Sequence, residues 1–138
     1  MLIAACIGTV LGVLSVLHVY WGIRGVSARS IALPEVNGSP AFVPSRASCF
    51  AVAGGLALAA ALVLWRGRVF PSHPVPEWLV TAGALGVGCV FVLRAVGDFR
   101  LVGFFKRVRG SAFARWDTRL FSPLCLCLGI GSLWVALS

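Results

Sequence analysis

Residues 94–119 read RAVGDFRLVGFFKRVRGSAFARWDTR, and their reading decides the fold. Residues 78–93 before them and 120–138 after them contain no Asp, Glu, Lys or Arg. Between these apolar runs, the quoted stretch concentrates seven of the twelve Lys and Arg residues and two of the four acids. Hydrocarbon excludes charge, whereas loops at a membrane surface collect cations and amphipathic aromatics. A connector of this kind marks a chain leaving a bilayer and re-entering it.

The rest of the chain repeats the pattern. Residues 2–23 and 47–65 are likewise free of Asp, Glu, Lys and Arg. A 59% hydrophobic content, 12% charge and a mean hydropathy of +0.98 exclude an ordinary soluble domain. At about 20 residues per span, the length allows four helices and no separate soluble domain. The expected architecture is all-α: an integral membrane four-helix bundle with short connectors and a basic interfacial segment between spans three and four. It forms a single transmembrane domain, 1–138, with spans at about 2–23, 46–65, 77–98 and 118–137. The net charge of +8 does not point to nucleic acid, because the cations flank spans instead of forming a separate patch.

Four spans put both termini on one side. Connectors one and three then carry Arg24, Arg29, Arg46, Arg100, Lys106, Arg107, Arg109, Arg115 and Arg119, against Arg66 and Arg68 opposite. Cytoplasmic loops carry the excess of Lys and Arg. Connectors one and three are therefore expected in the cytoplasm and both termini outside.

Steps of 100° place Ala4, Gly8, Leu11, Ser15, His18 and Gly22 on one stripe of span one. Ala51, Gly55 and Ala59 recur at four-residue spacing in span two, with Ser45 as its expected N-cap. Small residues let helices approach closely in lipid, so these stripes are expected at helix contacts, within the bundle or in a small homo-oligomer. In connector one, Pro34, Pro40, Pro44 and Asn37-Gly38 exclude a long helix. Its apolar residues, Leu33 and Phe42 among them, suggest a cap over the end of span one. A fourth span confined to Pro123–Leu137 would cover only about 22 Å, short of a core of about 30 Å. Starting it at Thr118, with Asp117 as N-cap, restores the length and leaves Pro123 inside the helix. The carbonyl of Arg119 then loses its usual partner.

Cys6, Cys49, Cys89, Cys125 and Cys127 show no CxxC and no zinc spacing, and are expected as small buried hydrophobes. The N-terminus lacks a basic n-region, so span one is expected to be retained. His73, in connector two, reads as a solvated loop residue. With one His inside the spans and no second axial ligand, neither haem, another cofactor nor a metal is implied.

The polar residues converge at the cytoplasmic end. His18 and Arg94 reach a similar depth in parallel spans, and Arg94 and Asp98, four apart, are expected as neighbours on one helix. His18, Tyr20, Arg94, Asp98 and Asp117 form the candidate ligand pocket beneath connector one. In a structural reading, Arg94 and Asp98 offset each other, Asp117 caps a helix and His18 bonds a neighbouring one. In a working pocket, His18 transfers a proton, Asp98 or Asp117 sets its protonation, and Arg94 holds an anionic headgroup, carboxylate or phosphate. His18, Asp98 and Asp117 are the catalytic candidates. Arg100, Lys106, Arg107, Arg109, Arg115 and Trp116 read as a surface for anionic lipid headgroups, each cation contributing about 1 kcal/mol near the membrane.

His18-Val19-Tyr20-Trp21-Gly22, Pro44-Ser45-Arg46, Arg94-Ala95-Val96-Gly97-Asp98-Phe99-Arg100, Gly103-Phe104-Phe105-Lys106 and Trp116-Asp117-Thr118-Arg119 with Ser122-Pro123-Leu124 resemble the domain of unknown function 3995 family, small bacterial four-span membrane proteins. The resemblance covers nearly the whole chain. It implies the four-helix membrane fold and a bacterial inner membrane, and it places His18, Arg94, Asp98 and Asp117 on the family's polar positions. It implies no activity, substrate or cofactor. The expectation is a non-enzymatic bundle that binds lipid or a partner. The alternative is a membrane-embedded enzyme or proton-linked carrier acting on a lipid-like substrate through His18, Arg94, Asp98 and Asp117.

Overall fold

The computed structural model describes residues 1–27, 31–70 and 73–138. Arg29, one of the cations counted in connector one, lies outside them. Four helices, α1 (Leu2–Arg24), α2 (Arg46–Arg66), α3 (Glu77–Val96) and α4 (Ala112–Leu137), are each long and apolar enough to cross a membrane. The protein is an all-α, four-helix membrane bundle. In hydrocarbon every backbone N–H and C=O needs an internal partner, and a helix supplies one for each residue of its interior.

Helices α1 and α2 form one close pair and α3 and α4 the other. The pairs join through α2 against α3 and α4 against α1. Ala4, Leu11, Ala60, Val63, Leu128 and Val135 are among the buried side chains at the centre. Small residues set the closest approaches. A Cβ added at Gly129 would stand 2.8 Å from Val92 N and 3.0 Å from Gly88 O, so at this crossing the α3 and α4 backbones nearly touch. Gly8 similarly receives Leu64 and Gly22 receives the Phe50 ring.

The stripe expected in span one is the buried face of α1: Ala4, Gly8, Leu11, Ser15 and Gly22 are all covered. The stripe expected in span two does not pack as a whole within the bundle. Ala51 and Gly55 are exposed, and the covered face carries Cys49, Ala53, Ala59, Ala60 and Val63. Small residues lie on several faces of α2, so four-residue spacing alone does not choose among them. The cysteines are corrected. All are free, but only Cys49 is buried, while Cys6, Cys89 and Cys127 are exposed. The outer face of a membrane helix is as apolar as its core, so a thiol is tolerated on either.

Ser45 caps α2, its hydroxyl accepting from the N–H of Ser48 at 3.1 Å. Connector one folds into a hairpin, β1 (Glu35–Val36) with β2 (Ser39–Pro40). Its two-residue turn, Asn37-Gly38, has positive φ at both positions, 52° and 78°, the geometry that matches strand twist. His73 is only half-buried; its Nδ1 bonds Val75 O at 2.6 Å and its ring lies 5.8 Å from that of Trp65.

Helix α4 departs most from expectation. It begins at Ala112 with Ser111 as N-cap, accepting from the N–H of Ala114 at 3.0 Å. Asp117 therefore lies inside the helix and caps nothing. Residues Asp117–Phe121 form a π turn, in which the N–H of Ser122 donates to Asp117 O five residues back. Pro123, just beyond, has no N–H to offer Arg119, and the wide turn reorganises the ladder where that bond is missing. The 26 residues of α4 are ample for the bilayer core.

Candidate functional site

Asp117 is the hub of the connector-three end. It is fully buried. Its Oδ1 accepts from Arg94 Nη2 at 3.0 Å. Its Oδ2 accepts from Lys106 Nζ at 2.9 Å, from the N–H of Gly103 at 2.8 Å and from Ser122 Oγ at 3.2 Å. Four donors saturate the carboxylate. Lys106, 2% exposed, gives its remaining protons to Gly103 O at 2.8 Å and Thr118 Oγ1 at 2.7 Å. One buried carboxylate thus holds the end of α3, the middle of connector three and the start of α4 together.

The path of connector three makes this possible. Helix α3 stops at Gly97, whose φ is +93°, and Gly103 follows with φ +88°. These two backbones lie against each other: a side chain on Gly97 would enter Val102 O, and one on Gly103 would enter Val96 O. Only glycine offers both the left-handed conformation and the missing Cβ. Phe104 N–H returns to Ala95 O at 2.8 Å and closes the loop.

Asp98 fixes the tip of that loop. Its Oδ1 accepts from the amides of Arg100 at 2.9 Å, Leu101 at 2.7 Å and Val102 at 3.0 Å. Burial pushes its carboxyl up, but the amides of Val102, Arg100 and Leu101 outweigh this and hold it below the ordinary carboxylate value. The expected Arg94–Asp98 pair is therefore corrected. The i, i+4 relation needs both residues on the helix, and α3 ends at Val96, so Asp98 turns into its own loop while Arg94 pairs with Asp117.

A cleft of about 410 Å³ opens beside this hub, and His18 and Arg94 both line it. Its walls come from α1 (Trp21), connector one (Val26, Leu33, Phe42, Pro44), α2 (Ser48, Cys49, Val52) and α3. His18 Nδ1 lies 2.8 Å from Leu14 O, and its ring meets Trp21 edge-on at 4.9 Å. A carbonyl only accepts, so Nδ1 carries the hydrogen and Nε2 of the neutral ring is an acceptor. Arg94 Nη1 is buried without a partner.

The five pocket candidates therefore separate. His18 and Arg94 share the cleft, Asp117 stands behind Arg94, Asp98 is engaged in connector three, and Tyr20 is 55% exposed and does not line the cleft. The headgroup candidates separate too. Arg100, Arg107, Arg109, Arg115 and Trp116 are exposed, whereas Lys106 is corrected to a buried partner of Asp117. Sequence reasoning missed Lys106, Gly103, Thr118 and Ser122 as partners of the hub. Their one signal is that Asp117 lies inside an apolar helix, where a carboxylate must find donors. Among the described residues no group of three or more His, Cys, Asp or Glu side chains is placed to hold a metal.

No curated protein and no solved structure matches the chain. A family model does, over residues 11–132, a stretch that takes in the His18–Arg94 cleft, connector three and Asp117. The chain belongs to the family described as "Protein of unknown function (DUF3995)".

Proposed function

We propose that this is a non-enzymatic protein of a bacterial inner membrane that binds anionic lipid at its cytoplasmic end. The observation that carries the reading is the outer surface of connector three and the first turns of α4. There Arg100, Arg107, Arg109, Arg115 and Arg119 are exposed together with Phe104, Phe105 and Trp116. Cations beside exposed aromatics suit the headgroup layer, where the aromatics enter the acyl boundary and the cations meet phosphate. The excess of cations on connectors one and three supports a cytoplasmic location for this end and an outside location for both termini.

Two features favour binding over turnover. A general acid or base needs an unsaturated group within reach of a substrate. Asp117 already has four donors, and Asp98, bound through Oδ1 to three amides of its own loop, does not line the cleft. His18 is thus left without an acid to set its protonation. The reading extends to self-association, because Gly54 and Gly55 of α2 are exposed, a Cβ added at either meets nothing within 4 Å, and a small-residue face is left uncovered.

Spin-labelled lipids around the reconstituted protein test the reading. Phosphatidylglycerol is expected to be enriched over phosphatidylcholine, and Arg107→Gln/Arg109→Gln/Arg115→Gln to remove most of the enrichment. Equal immobilisation of both lipids by the unaltered protein contradicts it.

A further inference from the structure

The cleft between connector one and helices α1, α2 and α3 is separate from the exposed cations of connector three. We propose that it holds one anionic phospholipid per chain, the phosphate beside Arg94 and part of an acyl chain along the apolar wall. This rests on the lipid-binding reading above and gives it a defined site.

Charge is the first argument. Arg94 and Lys106 share a single carboxylate, that of Asp117, so the hub carries one positive charge more than it neutralises. The other three acids are elsewhere. Asp98 faces its own amides, Glu35 is in the hairpin and lines a different cavity, and Glu77 lies beside Arg68 at the opposite end of the bundle. None of them lines the cleft. An uncompensated cation at the edge of a bilayer is costly, and an anion from outside would balance it.

The second argument is hydrogen bonding. Arg94 Nη2 is committed to Asp117, while Nη1 is buried with no partner. Such a donor forfeits a charge-assisted bond, and a turn of the Arg94 side chain toward the cleft would offer the planar guanidinium to a two-oxygen phosphate acceptor. Arg94 lines the cleft with 34% of its side chain exposed, so a headgroup has access beside it. His18 Nε2, an acceptor, suits a hydroxyl of a glycerol headgroup.

Shape and depth agree with that charge. Trp21, Val26, Leu33, Phe42 and Val52 make the wall apolar, and about 410 Å³ falls within the range of small-molecule sites. Arg94 lies two residues before the end of α3 at Val96, roughly 3 Å along the helix axis. With α3 about as long as the hydrocarbon core, that places Arg94 next to the headgroup boundary. A free phosphate ion would leave the apolar wall unused, and a neutral lipid would leave the charge.

Native mass spectrometry of mildly extracted protein supplied with phosphatidylglycerol tests the proposal. Because replacing Arg94 also removes a partner of Asp117, the decisive variant is Val52→Trp. It fills the cleft from a residue 46% exposed and outside the core. The expected result is one retained phosphatidylglycerol per chain, with phosphatidylcholine not retained and inorganic phosphate unable to displace the lipid. Val52→Trp is expected to cut retention about tenfold or more, because the indole takes the volume the acyl chain would fill and keeps the phosphate from Arg94. Arg107→Gln/Arg109→Gln/Arg115→Gln is expected to keep it. Three results overturn the proposal: undiminished retention by Val52→Trp, equal retention of phosphatidylcholine, or loss in the triple variant alone. The last leaves the headgroup-surface reading standing without the cleft.

Discussion

Lys106 and Asp117 meet at 2.9 Å with both side chains removed from solvent, although Lys106 belongs to a connector and Asp117 to a membrane helix. The contact makes connector three a folded part of the bundle. Removing one member of a buried pair leaves the other charge uncompensated, at about 3–5 kcal/mol. Asp117→Asn is expected to be the more damaging single change, because two cations lose their common partner. Lys106→Met is expected to be milder, since Arg94, Gly103 and Ser122 still serve the carboxylate. The combination is expected to be less destabilising than the two effects added, and a double-mutant cycle by thermal melting in detergent measures the difference. Simple additivity would mean that the two side chains do not interact.

Asp98 predicts a pH dependence confined to connector three. Its carboxyl is held below the ordinary value, so the folded loop binds its proton less readily than the unfolded chain does. The stabilisation is therefore present above the ordinary carboxylate pKa of about 3.9 and is lost as pH falls through the lower folded value. Protection factors for the amides of Arg100, Leu101 and Val102, corrected for intrinsic exchange, are expected to drop across that acid range. In Asp98→Asn they are expected to be low throughout and flat with pH.

The Gly129 crossing predicts a contrast between glycines. Gly129→Leu places atoms where Val92 N and Gly88 O already stand, and backbone cannot step aside. Overpacking of this kind typically costs about 1–3 kcal/mol. Gly86→Ala meets nothing within 4 Å and is expected to be neutral, or stabilising by up to about 1 kcal/mol through helix propensity. Melting temperatures of the two variants check this, and similar losses at both positions would contradict the packing described.

The parts of this fold that are legible in the sequence are those set by local rules. Uncharged runs of bilayer length give four spans, Ser45 announces the start of α2, and the Ala4–Gly22 stripe finds the buried side of α1. What escapes depends on partners far along the chain. Nothing near Lys106 says that it turns inward, because its carboxylate lies eleven residues on, across a connector whose path depends on Gly97 and Gly103. Arg94 and Asp98 mislead for the same reason: their four-residue spacing matters only on a continuous helix, and Gly97 ends it. Asp117 reads as a cap because a helix starting at Thr118 already spans the bilayer core, so nothing in the sequence asks for the extra turn from Ala112. The π turn that admits Pro123 has no simple sequence signature.

Cysteine labelling at Gly110 tests the central claim, that connector three is a basic surface at the cytoplasmic end of the bundle. Gly110 is exposed, and a Cβ there meets nothing within 4 Å. Gly110→Cys, made in a variant with the five native cysteines replaced by alanine, is to be treated with a membrane-impermeant maleimide. The account predicts labelling in inside-out vesicles and none in intact spheroplasts. Labelling in intact spheroplasts would place connector three outside and contradict it.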